Sequence, residues 1–154
     1  MIIAENVMKF LNGEITWAQV EGITEDQATR FMEVGTTYLA TQRFDEAEKV
    51  FKCLADINPK DADAHALLAS TYQAQERPAE AIAAFGEALK MNPKHLVALA
   101  ARGELRMKEG DRGGLDDLKR AAEIDPMGTT ASGKRAAQLV RALVFRSGEA
   151  RASR

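Results

Sequence analysis

Part of this chain is written twice. At an offset of 34, Gly35 falls on Ala69, Tyr38 on Tyr72, Ala47 on Ala81, Phe51 on Phe85 and Pro59 on Pro93, so the stretch from Ala28 to Pro59 recurs from Ala62 to Pro93. A repeat of this period is one supersecondary unit that cannot bury its apolar face alone and must stack on its neighbours. The chain is thereby confined to a solenoid. Whatever it binds has to meet a surface built by stacked units.

Each copy contains two helical stretches. In the first copy, Phe31, Val34, Gly35 and Tyr38 recur at three- and four-residue spacing over about 25–41, and Ala47, Val50, Phe51 and Leu54 do so over about 45–57. Gly35 and Ala47 are small where antiparallel helices must approach, and Phe51 fills the space that remains. Asn58-Pro59 ends the second helix, because the residue before proline is pushed out of the helical region, and Asp61 is placed to cap the next helix. The second copy carries Leu68, Ala69 and Tyr72, then Ala81, Ile82, Phe85 and Ala88, with Pro78 in a first turn where its missing amide hydrogen costs nothing. The small, aromatic, small, aromatic, proline order is similar to the tetratricopeptide pattern.

A third, altered unit spans 94–126. It keeps Leu99, Gly103, Leu118, Ala121 and a terminal Asp125-Pro126, but its step from Pro93 is 33, one residue short. Arg102 and Arg106 stand where the second unit has Leu68 and Tyr72. Arginine is rarely buried alone, so these two are expected to reach solvent or to pair with acids such as Glu104, Glu109 or Asp116, with contact to a partner as the alternative.

Outside the repeats, residues 1–24 form a lead-in whose Ile2, Ile3, Val7, Met8 and Leu11 suggest a short amphipathic helix, closed by Asn12-Gly13. Thr24 to Gln27 reads as a capping box opening the first repeat helix. After a small-residue loop, Ala137, Val140, Leu143 and Val144 return to helical spacing, so 127–146 is expected to hold the terminal helix that a solenoid needs over its last apolar surface. Residues 147–154 are expected to be a flexible basic tail. The fold expected is all-α: a tetratricopeptide-repeat superhelix of three helix-turn-helix units (25–59, 60–93 and 94–126) between the lead-in and the capping helix.

The charge is nearly balanced, with 21 basic and 23 acidic residues, which gives no argument for nucleic acid. It is unevenly placed: residues 1–61 carry 6 basic and 11 acidic side chains, whereas 133–154 carry 6 and 1. Cys53 is the single cysteine, which leaves no intrachain disulfide and no cysteine metal cluster. No run approaches the ~18 apolar residues of a membrane helix, and the start lacks the basic residues and cleavage site of a signal peptide, so a cytoplasmic location is expected. No nucleophile and base, paired carboxylates or metal cluster appears at a recognisable spacing. His65 and His95 lie 30 apart with no neighbouring ligand. No enzymatic activity, metal or cofactor is therefore expected.

In a solenoid of helical hairpins the first helix of each unit lines the concave side. Its faces not used in packing carry Met32, Thr36 and Leu39 in the first unit, Ala66, Ser70 and Gln73 in the second, and Ala100, Glu104 and Met107 in the third. Small residues and methionines suit an extended peptide with a few apolar anchors, because thioethers repack without strict shape demands. Met32 and Met107 would serve equally as contacts to neighbouring helices.

The run from Glu14 to Thr24, the helix into Tyr38, and Arg43-Phe-Asp-Glu-Ala-Glu-Lys-Val-Phe51 resemble the start of the class II type III secretion chaperones, and Ala100 to Gly110 resembles that family's third unit. The resemblance covers about 13–144. It implies a protein that holds an extended segment of a secreted translocator, and a homodimer formed through the N-terminal region, which Ile2, Ile3, Val7 and Met8 would permit. Where related heat-shock-peptide binders have a carboxylate clamp, this chain has Met32, Thr36 and Leu67, so a clamp is not expected.

Overall fold

The computed structural model describes residues 25–152 together with Lys9 and Asn12. The lead-in residues Ile2, Ile3, Val7 and Met8, and the capping box at Thr24, lie outside the described residues. Seven helices and no strand occur among them: α1 (Glu25–Ala40), α2 (Phe44–Ile57), α3 (Ala62–Ala74), α4 (Pro78–Met91), α5 (Leu96–Lys108), α6 (Gly114–Ile124) and α7 (Ala131–Ala152). None is long and apolar enough to cross a membrane. The chain divides into two compact units within α4, one ending at Ala81 and one beginning at Ile82.

In the first unit α1 packs on α2, α2 on α3 and α1 on α3. The close approach of α1 and α2 is made by Gly35, where an added Cβ would lie 2.7 Å from the Phe51 ring. Phe51, Val50, Ala47 and Leu54 are buried along one stripe of α2, with Phe31 buried from α1. Burying a ring such as Phe51 contributes roughly 1.5–3 kcal/mol. Asp61 caps α3 as expected: its carboxylate accepts from the backbone N–H of Asp63 at 2.9 Å and of Ala64 at 3.2 Å. Cys53 is buried, and that burial pushes its thiol up to about 12, so it is an apolar filler with no thiolate at neutral pH.

The turns between paired helices use one backbone device three times. Gln42, Glu76 and Gly110, each 34 after the last, adopt positive φ of 60°, 58° and 81°. The following N–H reaches back to the carbonyl five residues earlier: Arg43 to Tyr38 at 2.8 Å, Arg77 to Tyr72 at 2.9 Å and Asp111 to Arg106 at 2.8 Å. This is the Schellman closure, which satisfies carbonyls that a helix end leaves orphaned. Because the turn residue keeps the 34 spacing, the residue missing from the third unit is lost after Asp111.

In the second unit α5 packs on α6, and α7 covers both. Gly103 permits the first contact: a Cβ there would meet the Gly114 carbonyl and the Leu118 side chain at 2.8 Å. Leu99, Leu118, Ala121 and Ala136 are buried around it. Asp125 starts the capping segment, accepting from the backbone N–H of Thr129 at 2.9 Å and of Thr130 at 2.8 Å, and from both hydroxyls. Those donors, the Thr130 amide first, hold its carboxyl well below the ordinary carboxylate range. The helix it precedes is longer than the apolar spacing suggests: α7 continues to Ala152, so the backbone of 147–152 is helical. Alanine and arginine sustain it with no proline to stop it.

Candidate functional site

Three groups of expected groove residues take different places. On α1, Met32, Thr36 and Leu39 follow a spacing that keeps them on one side of the helix, with Met32 and Leu39 half-buried and Thr36 exposed. On α3, which packs on α1, Ser70 is half-buried, Gln73 is exposed and Ala66 is buried. The hydroxyls in this set turn back onto their own helices: Thr36 donates to the Met32 carbonyl at 2.7 Å and Ser70 to the Ala66 carbonyl at 2.9 Å. Of this set, Met32 and Leu39 form a partly exposed apolar strip on α1, and Gln73 is an exposed amide on α3.

In the compact unit that begins at Ile82, Ala100 is buried, and Glu104 and Met107 face α7. Glu104 accepts from Arg135 Nη2 at 2.9 Å and lies 3.4 Å from Lys108 Nζ. The Arg135 guanidinium holds the Glu104 carboxyl below its usual range. Met107 lines a cavity of 290 Å³ with Leu118 and with Leu139, Ala142 and Leu143 of α7. The third-unit residues thus belong to a pocket closed on one side by the capping helix, a feature the repeat register alone could not indicate.

The two unusual arginines pair, but with other acids than Glu104, Glu109 and Asp116. Arg102 places Nε 2.8 Å and Nη2 2.7 Å from the two oxygens of Asp117, and Arg106 spans Asp117 at 3.0 Å and Asp111 at 2.7 Å. Asp117 is buried, and it stands where the second unit has Ala84 and the first has Val50. The signal for it was a third charge at an apolar position of the same unit. In the first two units the equivalent places hold tyrosines under arginines: Arg43 lies 4.6 Å from the Tyr38 ring centre and Arg77 lies 4.5 Å from that of Tyr72.

Both histidines make local contacts. His65 Nε2 is 3.0 Å from the Pro59 carbonyl, and His95 caps α5 by accepting from the Ala98 N–H at 3.2 Å. Among the described residues no three His, Cys, Asp or Glu side chains gather as metal ligands.

The tetratricopeptide repeat family model matches residues 33–95 and again 67–112, together more than half of the chain. No curated protein sequence matches. Similar folds occur in PcrH bound to the chaperone-binding region of PopD (TM-score 0.74, 19% identity, covering 82% of this chain and 97% of that one). A second is SycD of Yersinia enterocolitica, a type III secretion chaperone, bound to a peptide of the translocator YopD (0.72, 17%, 82% and 99%). A third is the first such domain of Spaghetti (RPAP3) bound to the HSP90 peptide SRMEEVD (0.71, 20%, 83% and 98%).

Proposed function

The chain belongs to the tetratricopeptide repeat family, and from that premise we propose that it is a non-enzymatic chaperone or adaptor that holds an extended apolar client segment. The client proposed is a secreted translocator of a type III system, kept soluble in the cytoplasm before export. The observation that carries this reading is the partly exposed strip of Met32 and Leu39 on α1, with Gln73 exposed on α3, the helix that packs against it. An apolar client segment aggregates unless it is sequestered, and sequestering needs a surface and no chemistry. One of the similar structures holds a peptide of the translocator YopD and another the chaperone-binding region of PopD, and the lead-in resembles the translocator-chaperone class; both favour such a client over a folded partner.

The HSP90-peptide neighbour raises a second reading, capture of a C-terminal carboxylate. It is disfavoured by residue chemistry, because Met32, Thr36 and Leu67 supply no cation or side-chain amide at the clamp positions. A scaffold that bridges subunits of an assembly remains the alternative.

Co-expression separates these readings. A secreted neighbour with apolar segments should become soluble with this chain, and Met32→Glu with Leu39→Glu should return it to the pellet. If those changes leave the complex intact while changes on the exposed side of α2 remove it, the strip is not the site. Homodimerisation through the lead-in is a separate proposal. Ile3→Asp with Val7→Asp should halve the mass seen by light scattering, and an unchanged mass would exclude that interface.

A further inference from the structure

The 290 Å³ cavity of the compact unit that begins at Ile82 has an apolar interior and a charged mouth. Its walls come from three helices, with Met107 on α5, Leu118 on α6, and Leu139, Ala142 and Leu143 on α7. The volume lies just under the roughly 300–1,000 Å³ typical of whole-ligand pockets, which suits one bulky side chain rather than a large molecule. At the mouth one carboxylate, Glu104, answers two cations, Arg135 and Lys108, whose side chains are 55% and 62% exposed. Three ammonium hydrogens and five guanidinium hydrogens exceed what one carboxylate accepts, so the mouth keeps donors and positive charge to offer. Along the same helix as Arg135, Lys134 and Arg141 are exposed as well. Past the cavity, Phe145 is 69% exposed.

We infer that this cavity is a peptide-docking site, taking a single large apolar side chain, Phe or Leu, from a partner segment whose flanking residues are acidic. The complement of an apolar slot with a cationic rim is an apolar residue bracketed by carboxylates, and Met107 lets the slot adapt to either side chain. Every residue of the site lies in the compact unit that begins at Ile82, and none is Met32, Leu39 or Gln73. The inference deepens the client-binding reading and rests on it for the kind of partner.

Fluorescence anisotropy with the full chain tests it directly. The probe is a fluorescein-labelled peptide with a Phe-Leu pair between two pairs of glutamates; the control replaces the glutamates by lysines. The acidic probe should bind and weaken with added salt, and the basic control should not bind. Ala142→Phe, which fills the slot from an exposed helix position, should weaken binding about tenfold or more, the loss expected for excluding one large apolar side chain. Leu139→Glu should do the same by charge, with circular dichroism confirming that both variants fold. A failed co-expression beside an intact Ala142-dependent affinity would sink the client reading and spare this one. Equal binding of both peptides, or an affinity indifferent to Ala142→Phe, would overturn the inference. So would cavity-dependent binding of 8-anilinonaphthalene-1-sulfonate with neither peptide bound, which would assign the slot to a small amphiphile.

Discussion

Removing the Asp117 carboxylate is the sharpest perturbation this fold offers. Asp117 is 4% exposed and takes three hydrogen bonds from two arginines that are 20% and 25% exposed. Asp117→Ala strips Arg102 of both its bonds, whereas Arg106 keeps Asp111. Breaking a buried pair by deleting one partner costs about 3–5 kcal/mol, and the arginines' residual exposure places this case near the lower end. In a chain of this size ~3 kcal/mol corresponds to a fall in Tm of roughly 6–12 °C. Asp117→Asn, which keeps the shape and one acceptor, should cost about half as much. The decisive variant is the double change Arg102→Leu with Asp117→Ala, which installs the residues the second unit carries at these positions. Replacing a buried pair by apolar groups is close to neutral, so the double variant should recover to within about 1 kcal/mol of the parent. Urea unfolding followed by far-ultraviolet circular dichroism measures all three. A double variant no more stable than Asp117→Ala alone would show that the charges are not coupled through this contact.

Three further outcomes follow from the same geometry. Gly103→Ala should destabilise the second unit by about 1–3 kcal/mol in the same unfolding assay, because the new methyl meets the Gly114 carbonyl and neither backbone can yield cheaply. Glu76→Gly should stabilise by about 0.5–1 kcal/mol, since the left-handed penalty exceeds the extra chain entropy of glycine; a loss would mean that the turn is not strained there. Asp125 has a folded-state pKa below its unfolded value of about 3.9, so its contribution is present above that pH and is lost as pH falls towards the depressed folded value. Asp125→Asn should therefore flatten the acid side of a plot of Tm against pH, and an unchanged acid limb would contradict the capping role.

The helices were legible because their signals are local and repeated. Pro59, Pro93 and Pro126 mark ends, Gly35 and Gly103 mark close approaches, and the three-and-four spacing of Phe31, Tyr38, Phe51 and Phe85 marks buried stripes. Less visible was chemistry that depends on what lies across a contact. Asp117 was hidden among neighbouring acids because helical register, not nearness in sequence, decides which carboxylate reaches Arg102. The αL turns at Gln42 and Glu76 were masked by residues that seldom adopt that conformation. The pocket at Met107 depends on where α7 lands, which no repeat pattern encodes.

The exchange of tyrosine for arginine in the third unit also bears on assembly. An array of near-identical hairpins can pair the wrong partners while folding, since one first helix presents nearly the same face as another. Here α5 carries cations whose counter-charges exist only on α6 and in the turn before it. Seated on α2 it would set Arg102 against Val50, burying a guanidinium beside a valine. The misregistered hairpin would then lose the compensation that the native one has, so the ion cluster works as an address label written into the last repeat.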